Sequence, residues 1–207
     1  MKKLIVGITA PGSVILIAGQ MNYFKSLGYE TYLLAPTDER VTAYCLREGC
    51  THLPVNLERE ISPLKDIKAL FQIITHLRKI KPDVVNFGTP KVSLLGMIAA
   101  KILAVKNRIY TCRGFRFETE KGTKKKILIF LEKIISKCSH QIICISPSLK
   151  EFGINLNIFS ETKAIVINKG SSNGINLAKF NRSLISKSEI LTLKKDLHIM
   201  HMILMKI

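Results

Sequence analysis

The densest run of potential chemistry lies in Thr111-Cys112-Arg113-Gly114-Phe115-Arg116-Phe117-Glu118. Arg113 and Arg116 supply planar, permanently charged donors, Glu118 supplies a carboxylate, and Gly114 leaves the backbone between them free. Such a set either faces a ligand rich in acidic or hydroxyl groups or forms a surface salt-bridge network. A second candidate is Thr89-Pro90-Lys91. Thr89 can cap a helix, and Lys91 falls in its first turn, close to any anion held by the free N–H groups there. The third is Asn168-Lys169-Gly170-Ser171-Ser172-Asn173-Gly174-Ile175, whose glycines and serines surround Asn173. It reads as a loop offering backbone N–H groups to a phosphate or sugar, or as a plain turn. Gly12 and Ser13, in Ala10-Pro11-Gly12-Ser13, follow the first apolar run but lack the later glycines of a dinucleotide fingerprint, and no GxxxxGK[ST] occurs anywhere. His52, His76 and His140 stand apart from each other and read as structural, with no Ser-His-Asp or Cys-His grouping evident. Acid–base work falls to Glu118 or Asp38, although Thr37 and Asp38, like Ser146, more simply cap helices.

The elements that must position these residues alternate. Apolar runs at Lys3–Ala10, Tyr29–Ala35, Thr51–Leu57, Asp83–Phe87, Arg108–Cys112, Gln141–Ile145 and Lys163–Asn168 are mostly continuous, as expected for parallel strands covered on both faces. Between them lie helical patterns. The clearest is Pro63–Ile80, where Leu64, Ile67, Leu70, Phe71, Ile74 and Leu77 recur at three- and four-residue spacing behind Ser62-Pro63. Gly28 and Gly49 sit where helices should end. Strand and helix in repeated alternation predict an α/β domain built on a doubly wound, mostly parallel sheet, whose ligands lie beyond the carboxyl ends of the strands. All the candidate loops fall at those ends.

Composition narrows the classes further. With 32 Lys and Arg against 15 Asp and Glu the net charge is +17, which favours polyanionic or membrane-surface partners. Lys121, Lys124, Lys125 and Lys126 open one helix against its dipole, as a solvated turn or as a patch facing anionic lipid or phosphate. Five scattered cysteines form no CxxC pair and read as reduced thiols of a cytoplasmic protein. The opening MKKLIVGITAPGSVILIAG is interrupted by Pro11-Gly12 and reads as a buried strand plus loop rather than a signal peptide. No stretch is apolar and long enough to span a membrane.

Taken together, the loops resemble those of a known family. Gly19-Gln20-Met21, Ile61-Ser62-Pro63-Leu64-Lys65-Asp66, Thr89-Pro90-Lys91 with LLGMIAAK behind it, Arg108-Ile109-Tyr110-Thr111 with Arg113-Gly114 and Glu118, and Gly170–Ile175 occur in order. The chain is similar over residues 1–180 to the N-terminal half of bacterial family 4 glycosyltransferases that assemble capsular or exopolysaccharide units. The resemblance implies a Rossmann-like N-terminal lobe of a GT-B enzyme, the acceptor side of a cleft whose second lobe holds a nucleotide-sugar donor. Transfer in such enzymes retains anomeric configuration and usually needs no metal or other cofactor. It further implies that the Gly12-Ser13 loop approaches the donor phosphates, that Thr89, Lys91, Arg113, Gly114 and Glu118 line the acceptor side, and that Asn173 and Gly174 lead toward the hinge. The implied partners are a nucleotide sugar and a glycan or lipid-linked acceptor at the inner membrane face, with no nucleic acid. Family members often carry histidine on the fourth-strand loop, where this chain has Asn86, Phe87 and Gly88.

After Phe180 the pattern fails, and residues 181–207 read as a weakly helical, irregular tail ending in HIMHMILMKI. His198, His201 and the methionines there suggest soft-metal binding only faintly, since no acidic or Cys ligand joins them. The expectation is a chain truncated where the donor lobe should begin, or one whose donor lobe comes from a separate polypeptide. The other classes compatible with the charge are a non-catalytic binder of nucleic acid or membrane surfaces, and a nucleotide-dependent oxidoreductase, which the missing glycine fingerprint disfavours.

Overall fold

A computed structural model describes residues 1–58, 60, 62–175, 177, 178, 180, 181, 183 and 185–196. It divides into two compact units, Met1–Asn173 and Gly174–Ile207. The described part of the second unit contains one helix, Lys187–Asp196. The HIMHMILMKI segment falls outside the described residues.

The first unit is built on seven strands: β1 Lys2–Gly7, β2 Tyr29–Ala35, β3 Thr51–Pro54, β4 Val84–Phe87, β5 Asn107–Cys112, β6 Gln141–Cys144 and β7 Ala164–Val166. They form one sheet in the order β3-β2-β1-β4-β5-β6-β7. Every pair is parallel, with Leu4 opposite Thr31 on one side and Val84 on the other. Six helices connect them: α1 Gln20–Ser26, α2 Glu39–Glu48, α3 Pro63–Ile80, α4 Pro90–Ile102, α5 Gly122–Cys138 and α6 Pro147–Asn155. The doubly wound architecture expected from the alternation is therefore present, and its strand order reverses direction between β1 and β4. At that switch point successive crossovers lead away to opposite sides and leave a crevice.

Alternate strand residues feed two cores. Ile5, Leu34, Val85 and Phe87 pack with Ile73 of α3, Val92 and Met97 of α4 and Leu128 of α5. Leu4, Val6 and Leu33 pack with Met21 of α1 and Val41 and Tyr44 of α2. At the switch point the backbones are drawn together by small residues. A Cβ on Gly7 would lie 2.5 Å from the Phe87 ring, and one on Gly96 would lie 2.4 Å from it. The Phe87 ring thus locks β1, β4 and α4 as one rigid floor, which side chains at either glycine would force apart.

Three sequence expectations shift. The ladder stops at Gly7, Pro54 and Val166, short of the apolar runs, because Ile8 and Val55 keep one backbone bond each to β2 and then peel away while staying buried. Residues Pro11–Ile17, expected as a loop, form a 3₁₀ helix with the proline in its first turn. The expected stripe of α3 holds only in part: Leu77 is buried and Leu70 and Ile74 pack against the core, but its other half does not. Ala69, Ile73 and Leu77, at four-residue spacing, face the core, whereas Leu64 (78% exposed), Ile67 (51%) and Phe71 (64%) face solvent. This helix is apolar over a wider arc than the core covers. Among the described residues no helix is long and apolar enough to cross a membrane.

Candidate functional site

The crevice at the switch point is walled by the loops after β1 and β4. A cavity of about 340 Å³ lies there, lined by Thr9, Ala10, Ser13, Thr89, Pro90 and Lys91, with Glu60 and Arg116 closing one side. Thr9 and Thr89 form its base. Thr89 Oγ1 accepts from the Thr9 amide at 2.7 Å, and the two hydroxyl oxygens lie 2.8 Å apart. Thr9 Oγ1 in turn accepts from the Val92 amide at 3.1 Å. The side chain of Thr89, expected to cap α4 itself, makes no such bond, and the cap comes instead from Thr9, on the neighbouring strand loop. The exchange ties the two loops of the crevice to each other as well as to the helix.

Lys91, expected in the first turn of α4 near any bound anion, is buried, and its Nζ donates to Asp66 Oδ1 at 2.7 Å and to the Glu60 carbonyl. Its charge is matched by Asp66, whose other carboxylate oxygen accepts from the Ser62 amide at 3.2 Å. Lys91 therefore presents an oriented ion pair at the cavity wall. Arg116 pairs with Glu60 at 3.2 Å. The lining combines two cations, one carboxylate and the three hydroxyls of Thr9, Ser13 and Thr89, with Asp66 behind Lys91, a set that matches alternating donors and acceptors such as sugar hydroxyls.

Arg113 stands apart from this group. Half-buried directly after β5, it donates to Gly88 O at 3.0 Å, to Ser172 Oγ at 3.0 Å and more loosely to Leu16 O at 3.5 Å. It thereby stitches the loops after β1, β4, β5 and β7. Burial pulls its affinity for the proton below the ordinary guanidinium value, yet arginine remains charged at any working pH. Its bonds go to carbonyl and hydroxyl oxygens, without a carboxylate among the described residues, so it keeps an unmatched positive charge at the carboxyl ends of the strands. Gly88 makes this seat possible, because a Cβ there would lie 1.8 Å from Arg113 Nη1.

The remaining candidates have other tasks. Glu118 Oε1 accepts from the Phe115 amide at 3.1 Å and fixes the short 3₁₀ turn Arg116–Thr119. Gly114 has φ 139°, where a side chain would be strained. Gly12 lies in the first turn of the 3₁₀ helix Pro11–Ile17, and the next residue, Ser13, lines the cavity. Asn173 donates to Ala18 O and accepts from Gln20 Nε2, each at 2.9 Å, which ties the last loop of the first unit to the start of α1. Gly174, at φ 72°, opens the second unit. The structure thus gathers Ser13, Thr89 and Lys91 in one cavity, and joins Arg113 to Ser172, next to Asn173, in another cluster. Sequence reading missed Thr9, Glu60, Asp66, Gly88 and Ser172 as parts of these arrangements. Thr9, Gly88 and Ser172 lie on loops at the carboxyl ends of strands, where the strand-end rule could have found them, whereas Asp66 lies within α3.

Of the other expected caps two are in place, whereas Ser62 takes the N-cap position of α3 without a side-chain bond. Asp38 accepts from the Arg40 amide at 2.9 Å, and the Arg40 guanidinium and amide hold its carboxyl down to about 2. Ser146 caps α6 through Leu149 N at 3.1 Å. His52 and His76 bond backbone carbonyls, and His140 Nδ1 accepts from Arg108 N. Among the described residues no three His, Cys, Asp or Glu side chains gather as a metal site.

Residues 8–146, from the crevice loop after β1 to the cap of α6, match the family model described as glycosyl transferase 4-like. The chain belongs to this family. It is 38% identical over 173 residues to the capsular polysaccharide biosynthesis glycosyltransferase CapM of Staphylococcus aureus, covering 84% of this chain and 45% of that protein. It is 33% identical over 149 residues to the UDP-Gal:alpha-D-GlcNAc-diphosphoundecaprenol alpha-1,3-galactosyltransferase of Escherichia coli, covering 70% of this chain and 38% of that one. The chain therefore spans less than half the length of these curated relatives. In fold it is similar to Anabaena HepE, solved in complex with UDP-glucose, with a TM-score of 0.67 at 12% identity over 96% of this chain and 50% of that one. The family is thus one of sugar transferases, and the match falls on one Rossmann-like lobe of the GT-B architecture.

Proposed function

We propose that the first unit is the acceptor-side lobe of a retaining, metal-independent glycosyltransferase that moves a sugar from a nucleotide-sugar donor to a lipid-linked glycan during cell-surface polysaccharide synthesis. The observation that carries this reading is the switch-point cavity, whose Thr9–Thr89 base and Lys91–Asp66 wall offer matched donors and acceptors to sugar hydroxyls. Arg113 supplies the complementary feature, a cation without a carboxylate partner beside loops that offer backbone N–H groups. A cation so placed stabilises negative charge building up on a phosphate as a sugar–phosphate bond breaks. The UDP-glucose complex of Anabaena HepE supports a nucleotide-sugar partner, and the name of the Escherichia coli relative supports a sugar-diphosphate-lipid acceptor.

A membrane-facing location at the inner leaflet is part of the same proposal. Leu64, Ile67 and Phe71 on α3 and Ile127 and Phe130 on α5 are exposed, and Lys65, Lys124 and Lys126 are exposed beside them in sequence. Apolar anchors mixed with lysines suit an anionic bilayer surface.

The test incubates the purified chain with labelled UDP-sugars and N-acetylglucosaminyl diphosphate carrying a short isoprenoid, and measures both lipid-extractable label and acceptor binding by calorimetry. Transfer, or acceptor binding that Thr89→Val and Arg113→Ala each weaken, supports the reading. Neither transfer nor binding at millimolar acceptor overturns it.

A further inference from the structure

Beside the switch-point cavity lies a second one, of about 180 Å³, between α4, α5 and the 3₁₀ turn Arg116–Thr119. Its lining is of another character: Leu94 and Leu95 from α4, Phe117, and Leu128, Leu131 and Ile135 from α5. The two cavities share Pro90, Lys91 and Arg116, so the polar site and the apolar one meet at a common wall. Leu94 and Leu131 are only half-buried, and the apolar cavity is not sealed.

We infer that this apolar cavity receives the first isoprenoid units of a lipid-linked acceptor whose sugar lies in the adjoining Thr9–Thr89 site, an inference that rests on reading the first unit as an acceptor lobe. Protein interiors normally fill such space, because an unfilled void forfeits dispersion contacts. An apolar void of ~150 Å³ takes up a benzene-sized guest, so this one holds roughly one or two five-carbon units. The shared wall also suits the diphosphate between sugar and lipid. The Lys91–Asp66 pair is buried and holds its geometry, with side-chain exposures of 8% and 20%. The Arg116–Glu60 pair is different, since the Glu60 side chain is 79% exposed. An exposed pair adds little to stability, so a phosphate oxygen can take the place of Glu60 on Arg116 at small cost. The remaining ionisable group on the apolar wall is Glu132. Tyr110 OH donates to its Oε2 at 3.0 Å, and burial pushes its carboxyl up to about 7. Glu132 thus keeps a large neutral fraction near neutral pH, as a wall meeting hydrocarbon requires.

The deciding experiment compares two acceptor analogues below their critical micelle concentrations: N-acetylglucosaminyl diphosphate as its methyl ester and as its farnesyl ester. The chain carries labelled Leu and Ile methyl groups. The expected result is about ten-fold or more tighter binding of the farnesyl ester, with methyl shifts at Leu94, Leu128, Leu131 and Ile135. Leu131→Phe, which fills the cavity, reduces that ratio to less than about two-fold. Equal affinity of the two esters overturns the inference and leaves the acceptor reading standing, whereas no binding of either ends both. Tighter farnesyl binding whose methyl shifts fall at Leu64 and Ile67 instead overturns it in favour of adsorption on the outer face of α3. If the Leu131→Phe variant fails to fold, the wild-type shift pattern still decides.

Discussion

Glu132→Gln isolates the energetic cost of an acid held in an apolar wall. The Glu132 carboxyl is raised from 4.5 to about 7, first by desolvation, with the Tyr110 hydrogen bond pulling the other way. The unfolded chain ionises this group near its ordinary value while the folded chain keeps it protonated to about pH 7. Between those values the unfolded state binds fewer protons, so stability falls as pH rises and levels off above the folded value. The full shift corresponds to about 3 kcal/mol, of which about 2.5 kcal/mol is lost between pH 5 and pH 8. Glutamine keeps an oxygen able to accept from Tyr110 and removes the titration. The difference in unfolding free energy between the two proteins is therefore expected to move by about 2.5 kcal/mol in favour of the glutamine variant over that range. The chain has no Trp, so urea unfolding is followed by far-UV circular dichroism. Every other ionisable group is common to the two proteins and cancels in the difference. A difference that stays flat to within about 0.5 kcal/mol from pH 5 to pH 8 would refute the reasoning, because the carboxyl would then ionise equally easily in both states.

Asp66→Asn leaves the buried Lys91 ammonium without its counter-charge and is expected to cost about 3 kcal/mol in urea unfolding; adding Lys91→Met should recover a large part of it. Thr9→Val removes both the acceptor for the Val92 amide and the partner of Thr89, with an expected loss of about 1–3 kcal/mol in the same assay. Gly88→Ala places a methyl group where the Arg113 guanidinium sits, so it should release that side chain and speed amide exchange in residues 170–173 while moving the unfolding midpoint only slightly. Unchanged exchange in that loop would show that Arg113 does not hold it.

The sheet was legible because parallel strands covered on both faces leave a one-dimensional signature, uninterrupted apolar runs separated by helical spacing. What the runs could not show was where the ladder ends. Ile8 and Val55 are as buried as strand residues although each has left the sheet, and burial, not pairing, is what apolarity records. The half of the α3 stripe that faces solvent has a related cause. Leu64, Ile67 and Phe71 satisfy helical spacing as well as Leu70, Ile74 and Leu77 do, and only the packing of the helix decides which of them are covered. At the site, the strand-end rule located Ser13, Thr89, Lys91 and Arg113 but not their couplings. Lys91 reads as a cation awaiting a bound anion, and only the fold brings Asp66, 25 residues away in sequence, to 2.7 Å. Thr89 reads as a cap until Thr9, 80 residues away, takes over that role.

These couplings bear on what the charge of +17 does. Within the polar cavity Lys91 and Arg116 are matched by Asp66 and Glu60, so the excess positive charge resides elsewhere. Exposed lysines such as those of α5 act over a Debye length, ~8 Å at physiological ionic strength, and are screened by added salt. The buried Lys91–Asp66 pair and the carbonyl-held Arg113 are screened far less. Under the proposed function, attraction to an anionic surface and recognition of a polar ligand would fall to different residues of one lobe. Salt that abolishes the first should leave the second largely intact, because only the first depends on charges that water and counter-ions reach.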